Sequence, residues 1–101
     1  MEELTPKEVE VIVKEGKDYT IVDVREDEEV AAGIIPNAVH IPLGLVEEKV
    51  EHLDKHKDYI LVCRSGRRSE MACMFMEAKG FKVSNMVGGM LEWEGPTEIN
   101  K

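Results

Sequence analysis

Hydrophobic residues along this chain recur in two alternating rhythms. Val9, Ile12 and Val13 fall at helical spacing before Gly16, which predicts a helix with one buried face. Its start is written in Thr5-Pro6-Lys7-Glu8: Thr5 suits the N-cap, Pro6 the first helical position and Glu8 the return partner of a capping box. Leu4 against Val9 would complete a hydrophobic staple. From Tyr19 to Val24 the pattern becomes a near-continuous β-branched run, the mark of a strand covered on both faces, with Asp23 interrupting it near the end. A short acidic helix is expected over Glu26–Ala32, stopped by Gly33, then a turn at Ile34-Ile35-Pro36-Asn37 and a short strand over Val39–Ile41 that Pro42 ends. Leu45, Val46, Val50 and Leu53 predict one helix over Leu43–Leu53, followed by a polar turn over Asp54–Asp58. Tyr59–Val62 is a further buried strand, Arg67–Lys79 a helix closed by Gly80, and Val83–Val87 a strand. Met90–Trp93 is a last short helix after Gly88-Gly89.

Helices that alternate with fully apolar strands imply an α/β fold: a small, open, mostly parallel sheet with helices on both faces. At 101 residues and 43% hydrophobic content the expectation is a single domain over residues 1–101 with a modest core. Ligands of such sheets sit beyond the carboxyl ends of the strands. Asp23 and Cys63 both fall at such ends and are expected to share one crevice.

The chemistry concentrates in Y-I-L-V-C-R-S-G-R-R-S, residues 59–69. The strand delivers Cys63 to its carboxyl end, and a helix starts almost at once. Loop amides, the positive end of the helix and nearby arginines each favour a thiolate over a thiol. A structural cysteine at a strand end has no need of Arg64, Ser65, Gly66, Arg67, Arg68 and Ser69 after it, because the arginines repel one another unless an anion answers them. Gly66 suits a loop that must curl tightly around a sulfur atom. Protein tyrosine phosphatases place an arginine six positions after the nucleophilic cysteine; here that position is Ser69, and Arg68 comes one residue early. The shorter ring suits a single sulfur atom better than a tetrahedral phosphate.

Charge narrows the partners. The formal net charge is −8, from 13 basic and 21 acidic residues, which argues against nucleic acid. The basic patch is local and anion-sized. The Met-Glu-Glu start has neither a basic n-region nor an apolar h-region, so no signal peptide, no membrane span and a cytoplasmic location are expected.

These residues resemble the single-domain rhodaneses, the thiosulfate sulfurtransferase family, over about Leu4 to Trp93. Asp23-Val24-Arg25 is similar to the family's D-V-R and Glu29–Ala38 to its E-Y-x-x-G-H-I-P-G-A. Cys63–Ser69 is similar to C-R-x-G-x-R-S, and Gly88-Gly89 with Trp93 to G-G-x-x-x-W. The resemblance implies that Cys63 takes the outer sulfur of thiosulfate or another persulfide donor, releases sulfite in the first case, and passes the sulfur from a persulfide to cyanide, a thiol or a protein acceptor. The amides of residues 64–69 would cradle the persulfide, and Arg64, Arg67 and Arg68 are the candidates for the donor's sulfonate. Asp23 and Arg25 are read as structural support. No metal or organic cofactor is expected. Val30, Ile34 and Asn37 depart from the family, which there shows an aromatic residue, His and Gly.

Two rivals stand beside this reading: a phosphatase or arsenate reductase, and a binding or regulatory module without catalysis. Cys73 is expected to fill the core of its helix rather than resolve Cys63. His52 and His56 are spaced for zinc but lack further ligands and are expected to be exposed. Glu26 to Glu29 is read as a solvated acidic face.

Overall fold

The computed structural model describes residues 1–99. Five strands, β1 (Glu2–Leu4), β2 (Thr20–Asp23), β3 (Val39–His40), β4 (Asp58–Val62) and β5 (Lys82–Met86), form one sheet in the order β1-β5-β4-β2-β3. Every pairing in it is parallel. Central β4 aligns Tyr59 with Thr20 of β2 on one side and with Val83 of β5 on the other. Its side chains alternate between two apolar layers, as the two-residue period of a strand requires. Tyr59, Leu61 and Cys63 join Val46, Val50, Ala72, Cys73 and Met76 on one face. Ile60 and Val62 join Val9, Ile21 and Met86 on the other. The α-helices among the described residues are α1 (Pro6–Glu15), α2 (Asp27–Val30), α3 (Val46–Lys49) and α4 (Arg67–Ala78). Thus α1 covers one face, and α3 and α4 the other, the α/β arrangement expected.

The caps of α1 follow their residues. The Glu8 amide donates to Thr5 Oγ1 at 3.1 Å and the Thr5 amide to Glu8 Oε1 at 2.8 Å, while Gly16 ends the helix in the left-handed region. Three expectations change. Strand β1 was not foreseen; three residues, two of them glutamates, are too few to show a period, and it forms only by pairing with β5 at the sheet edge. The expected helix over Leu43–Leu53 is only α-helical at α3, with single 3-10 turns at Leu43–Leu45 and Val50–His52. No side chain caps that segment, so its orphan end groups pair three residues apart, as in Leu45 N–H to Pro42 O and Leu53 N–H to Val50 O, which tightens both ends. The final turn, Gly89–Glu92, is likewise 3-10.

The departures at Val30, Ile34 and Asn37 are accommodated without strain. Val30 and Ile34 are buried in the core. Asn37 has φ +67°, the left-handed conformation that Asn tolerates best after Gly. Ile34 exchanges two backbone hydrogen bonds with Glu98, which ties the end of the described chain to this turn. Among the described residues no helix is long and apolar enough to cross a membrane.

Candidate active site

Four residues, Cys63 to Gly66, join β4 to α4. Gly66 sits at φ +99° as the residue before the helix, and a Cβ there would come within 3.1 Å of the Gly88 nitrogen. This conformation turns the Gly66 amide onto Cys63 Sγ, 3.0 Å away. Ser69 Oγ, on the first turn of α4, lies 3.3 Å from the same sulfur.

Cys63 is fully buried, whereas Arg64, Ser65 and Arg67 are exposed. Burial pushes the Cys63 thiol up, but hydrogen bonds from the Ser69 hydroxyl and from the Ser69, Gly66 and Ser65 amides outweigh it and leave the thiol below its ordinary value. Oriented loop donors therefore lead in stabilising the thiolate. Cys73 is the contrast: buried within α4 without such donors, it is pushed up to about 12. It stays a thiol and packs in the core.

A second segment clasps the loop from below. The Met90 amide donates to Cys63 O at 2.9 Å and the Leu91 amide to Arg64 O at 3.0 Å. Gly89, at φ +60°, makes that approach possible, since a Cβ there would lie 2.4 Å from Arg64 O and 2.5 Å from Cys63 O. The G-G-x-x-x-W segment thus shapes the ring around the sulfur with main-chain atoms.

Asp23 and Arg25, at the end of β2, brace each other. Arg25 Nε and Nη2 contact the Asp23 carboxylate at 2.9–3.0 Å, and Nη2 also donates to Gly33 O at 2.7 Å. Both residues are buried. His40 Nε2 meets Arg25 O at 2.7 Å and fixes the same corner from β3.

Arg68 differs from Arg64 and Arg67 in having a partner: Nη1 and Nη2 donate to Glu29 Oε1 and Oε2, at 2.7 and 2.8 Å. That bond holds the Glu29 carboxyl down at about 2. Glu29 accordingly leaves the solvated acidic face to which its neighbours belong. Arg64 and Arg67 form no ion pair among the described residues.

Asn85 was missed altogether. Buried on β5, it accepts from Ser69 Oγ at 2.5 Å and donates through Nδ2 to Gly66 O at 3.1 Å. Its signal was available as polar Ser84-Asn85 inside a strand read as buried. His52 and His56 are exposed, and the described residues gather no group of three metal-ligating side chains.

Comparison with known proteins places this geometry. The model of the rhodanese-like domain matches residues 5–96. YtwF of Bacillus subtilis (strain 168), named as a candidate sulfurtransferase, is 50% identical over 86 residues, 85% of this chain and 84% of that protein. A sulfurtransferase of Allochromatium vinosum is 36% identical over 78 residues, 76% of this chain and 73% of its own length. The crystal structure of a rhodanese-like domain protein from Staphylococcus aureus superposes with a TM-score of 0.92 at 37% identity and covers 100% of both chains. With that match along nearly its whole length, the chain belongs to the rhodanese-like domain family, and both relatives described above carry sulfurtransferase names.

Proposed function

We propose that this protein, a single domain over residues 1–101, carries sulfane sulfur on Cys63. The observation that carries the reading is the ring of donors at the sulfur: the Ser65, Gly66 and Ser69 amides and the Ser69 hydroxyl all favour a thiolate. That thiolate attacks the outer sulfur of thiosulfate. The S–S bond of thiosulfate breaks, sulfite leaves with the electron pair, and a Cys63 persulfide remains. A nucleophile, either cyanide or a thiol of a small molecule or protein, then takes the outer sulfur and returns the Cys63 thiolate. Another persulfide donor would load the site by the same exchange. Persulfide and thiolate present similar charge to the ring, so the same amides cradle both.

Arg64 and Arg67 are the residues assigned to the donor's sulfonate, because forked guanidinium donors match an oxyanion. Both are exposed on the segment that follows the buried sulfur, which supports that role. Arg68 supports the site through Glu29, which also weighs against a phosphatase, whose loop needs a free arginine on the phosphate. A reducing cytoplasm fits the free thiols of Cys63 and Cys73.

The test is intact mass after incubation with thiosulfate. One added sulfur atom is expected, removed by cyanide or a reductant and absent from Cys63→Ala. A native protein that takes up no sulfur overturns the proposal.

A further inference from the structure

The Ser69 hydroxyl stands between two acceptors and has one proton. Its Oγ lies 3.3 Å from Cys63 Sγ and 2.5 Å from Asn85 Oδ1, with all three residues buried. The Asn85 amide has one workable orientation. Nδ2 is 3.1 Å from Gly66 O, which can only accept, so Oδ1 faces Ser69. An amide oxygen also only accepts, so the 2.5 Å contact needs the Ser69 proton between the two oxygens. While that bond stands, Ser69 has no proton for the sulfur and can accept one from it.

We propose that Asn85 is a positioning residue for the Cys63 nucleophile: it holds the Ser69 hydroxyl proton while the sulfur is a thiol and yields it when the sulfur becomes an anion. In the thiol state Cys63 S–H donates to Ser69 Oγ, and Ser69 O–H donates to Asn85 Oδ1. On ionisation the thiol proton passes to a base in solvent and the Ser69 hydroxyl turns to the thiolate. Asn85 Oδ1 is then buried without a donor, which is costly. Asn85 therefore restrains the thiolate that the loop amides promote. Such restraint is useful, since a thiolate stabilised too far is a weaker nucleophile. The inference rests on Cys63 as the nucleophile and adds how its strength is set.

The charged groups on the surrounding elements are Glu2 and Glu3 on β1, which pair in register with Ser84 and Asn85, Asp23 at the end of β2 and Arg25 just after it, Glu29 on α2, Arg64, Arg67, Arg68 and Glu70 on the loop and α4, Lys82 on β5, and Glu92 in the last turn. None bonds to the side chains of Ser69 or Asn85. They are common to every variant below and cancel in the comparison.

The experiment is the pH dependence of Cys63 alkylation by iodoacetamide, located by mass, in the full chain, Asn85→Leu, Ser69→Ala and the double variant. Asn85→Leu should lower the apparent pKa by about one unit when Ser69 is present and leave it unchanged in Ser69→Ala. Gly66 O keeps its bond from the Glu70 amide, 3.2 Å, in all four proteins. An equal shift in both backgrounds, no shift, or a rise overturns the proposal. If Asn85→Leu does not fold, the Asn85 side-chain amide resonances of the unaltered protein decide. They should move through the Cys63 titration and lose most of that movement in Ser69→Ala; equal movement overturns it. Neither readout uses a sulfur donor. A protein that shows this coupling but takes no sulfur from thiosulfate overturns the proposed activity alone, and loading without the coupling overturns only the role of Asn85.

Discussion

Arg68 grips Glu29 with both ends of its guanidinium fork, Nη1 to Oε1 at 2.7 Å and Nη2 to Oε2 at 2.8 Å, across 39 positions of sequence. The pair joins the first turn of α4 to α2. Arg25 reaches the same helix through Glu29 O, 3.4 Å from Nη1, so the loop around Cys63 is linked by two arginines to the end of β2. The site is held from the side by ion pairs and from below by main-chain bonds.

The first expectation concerns acid. The Glu29 carboxyl falls from 4.5 to about 2 on folding, so the unfolded chain binds its proton more readily. The stabilisation is complete above about pH 4.5 and is lost as pH falls through about 2. With discount for solvent around a half-buried pair, it amounts to roughly 1–2 kcal/mol. Urea denaturation of the native protein and Glu29→Gln should show that difference at pH 6 and its loss toward pH 2. A difference that does not vary with pH would refute the assignment.

The two cysteines should differ sharply toward a neutral alkylating reagent. Cys63 lies below its ordinary thiol value and Cys73 is pushed up to about 12. At neutral pH the folded protein should take one label, at Cys63, and a second only in denaturant. Labelling of Cys73 first would contradict the distinct environments assigned to them.

The arginines should separate into two kinds. Arg64→Ala and Arg67→Ala should each raise the KM for thiosulfate about tenfold or more, the loss expected for one charged hydrogen bond, with little change in melting temperature. Arg68→Ala should lower the melting temperature and change KM less, because it removes the partner of Glu29. Steady-state kinetics beside thermal melts decide this, and a KM effect confined to Arg68 would reverse the assignment.

Glycines provide a steric test. Gly89→Ala places a Cβ 2.4 Å from Arg64 O at φ +60° and should cost about 2 kcal/mol or more while slowing sulfur uptake. Gly44→Ala meets nothing within 4 Å and should be neutral or stabilising by about 0.4–1 kcal/mol. Chemical denaturation of the pair measures the contrast, and equal effects would mean that the clasp does not constrain the loop.

Local information carried much of this molecule. The capping box at Thr5 and Glu8, the apolar run into Cys63 and the glycine at position 66 all act between near neighbours, so pattern alone exposed them. What pattern hid depends on long-range pairing. Strand β1 exists because β5 offers it an edge. The role of Arg68 depends on Glu29, and that of Asn85 on Ser69 and Gly66, brought together only once the sheet has formed. Arg64, Arg67 and Arg68 look equivalent in sequence; their partners make them different.

The clasp of Met90 and Leu91 on the carbonyls of Cys63 and Arg64 uses no side-chain atom. Shape around Cys63 is therefore independent of what residues 64, 65 and 91 display outward. The rim can be rewritten, by selection or by design, to admit a different donor or acceptor while the seat of the sulfur stays as it is. On the proposed function, a fixed socket with an exchangeable collar makes this domain a scaffold on which sulfur-transfer specificity can be changed one surface residue at a time.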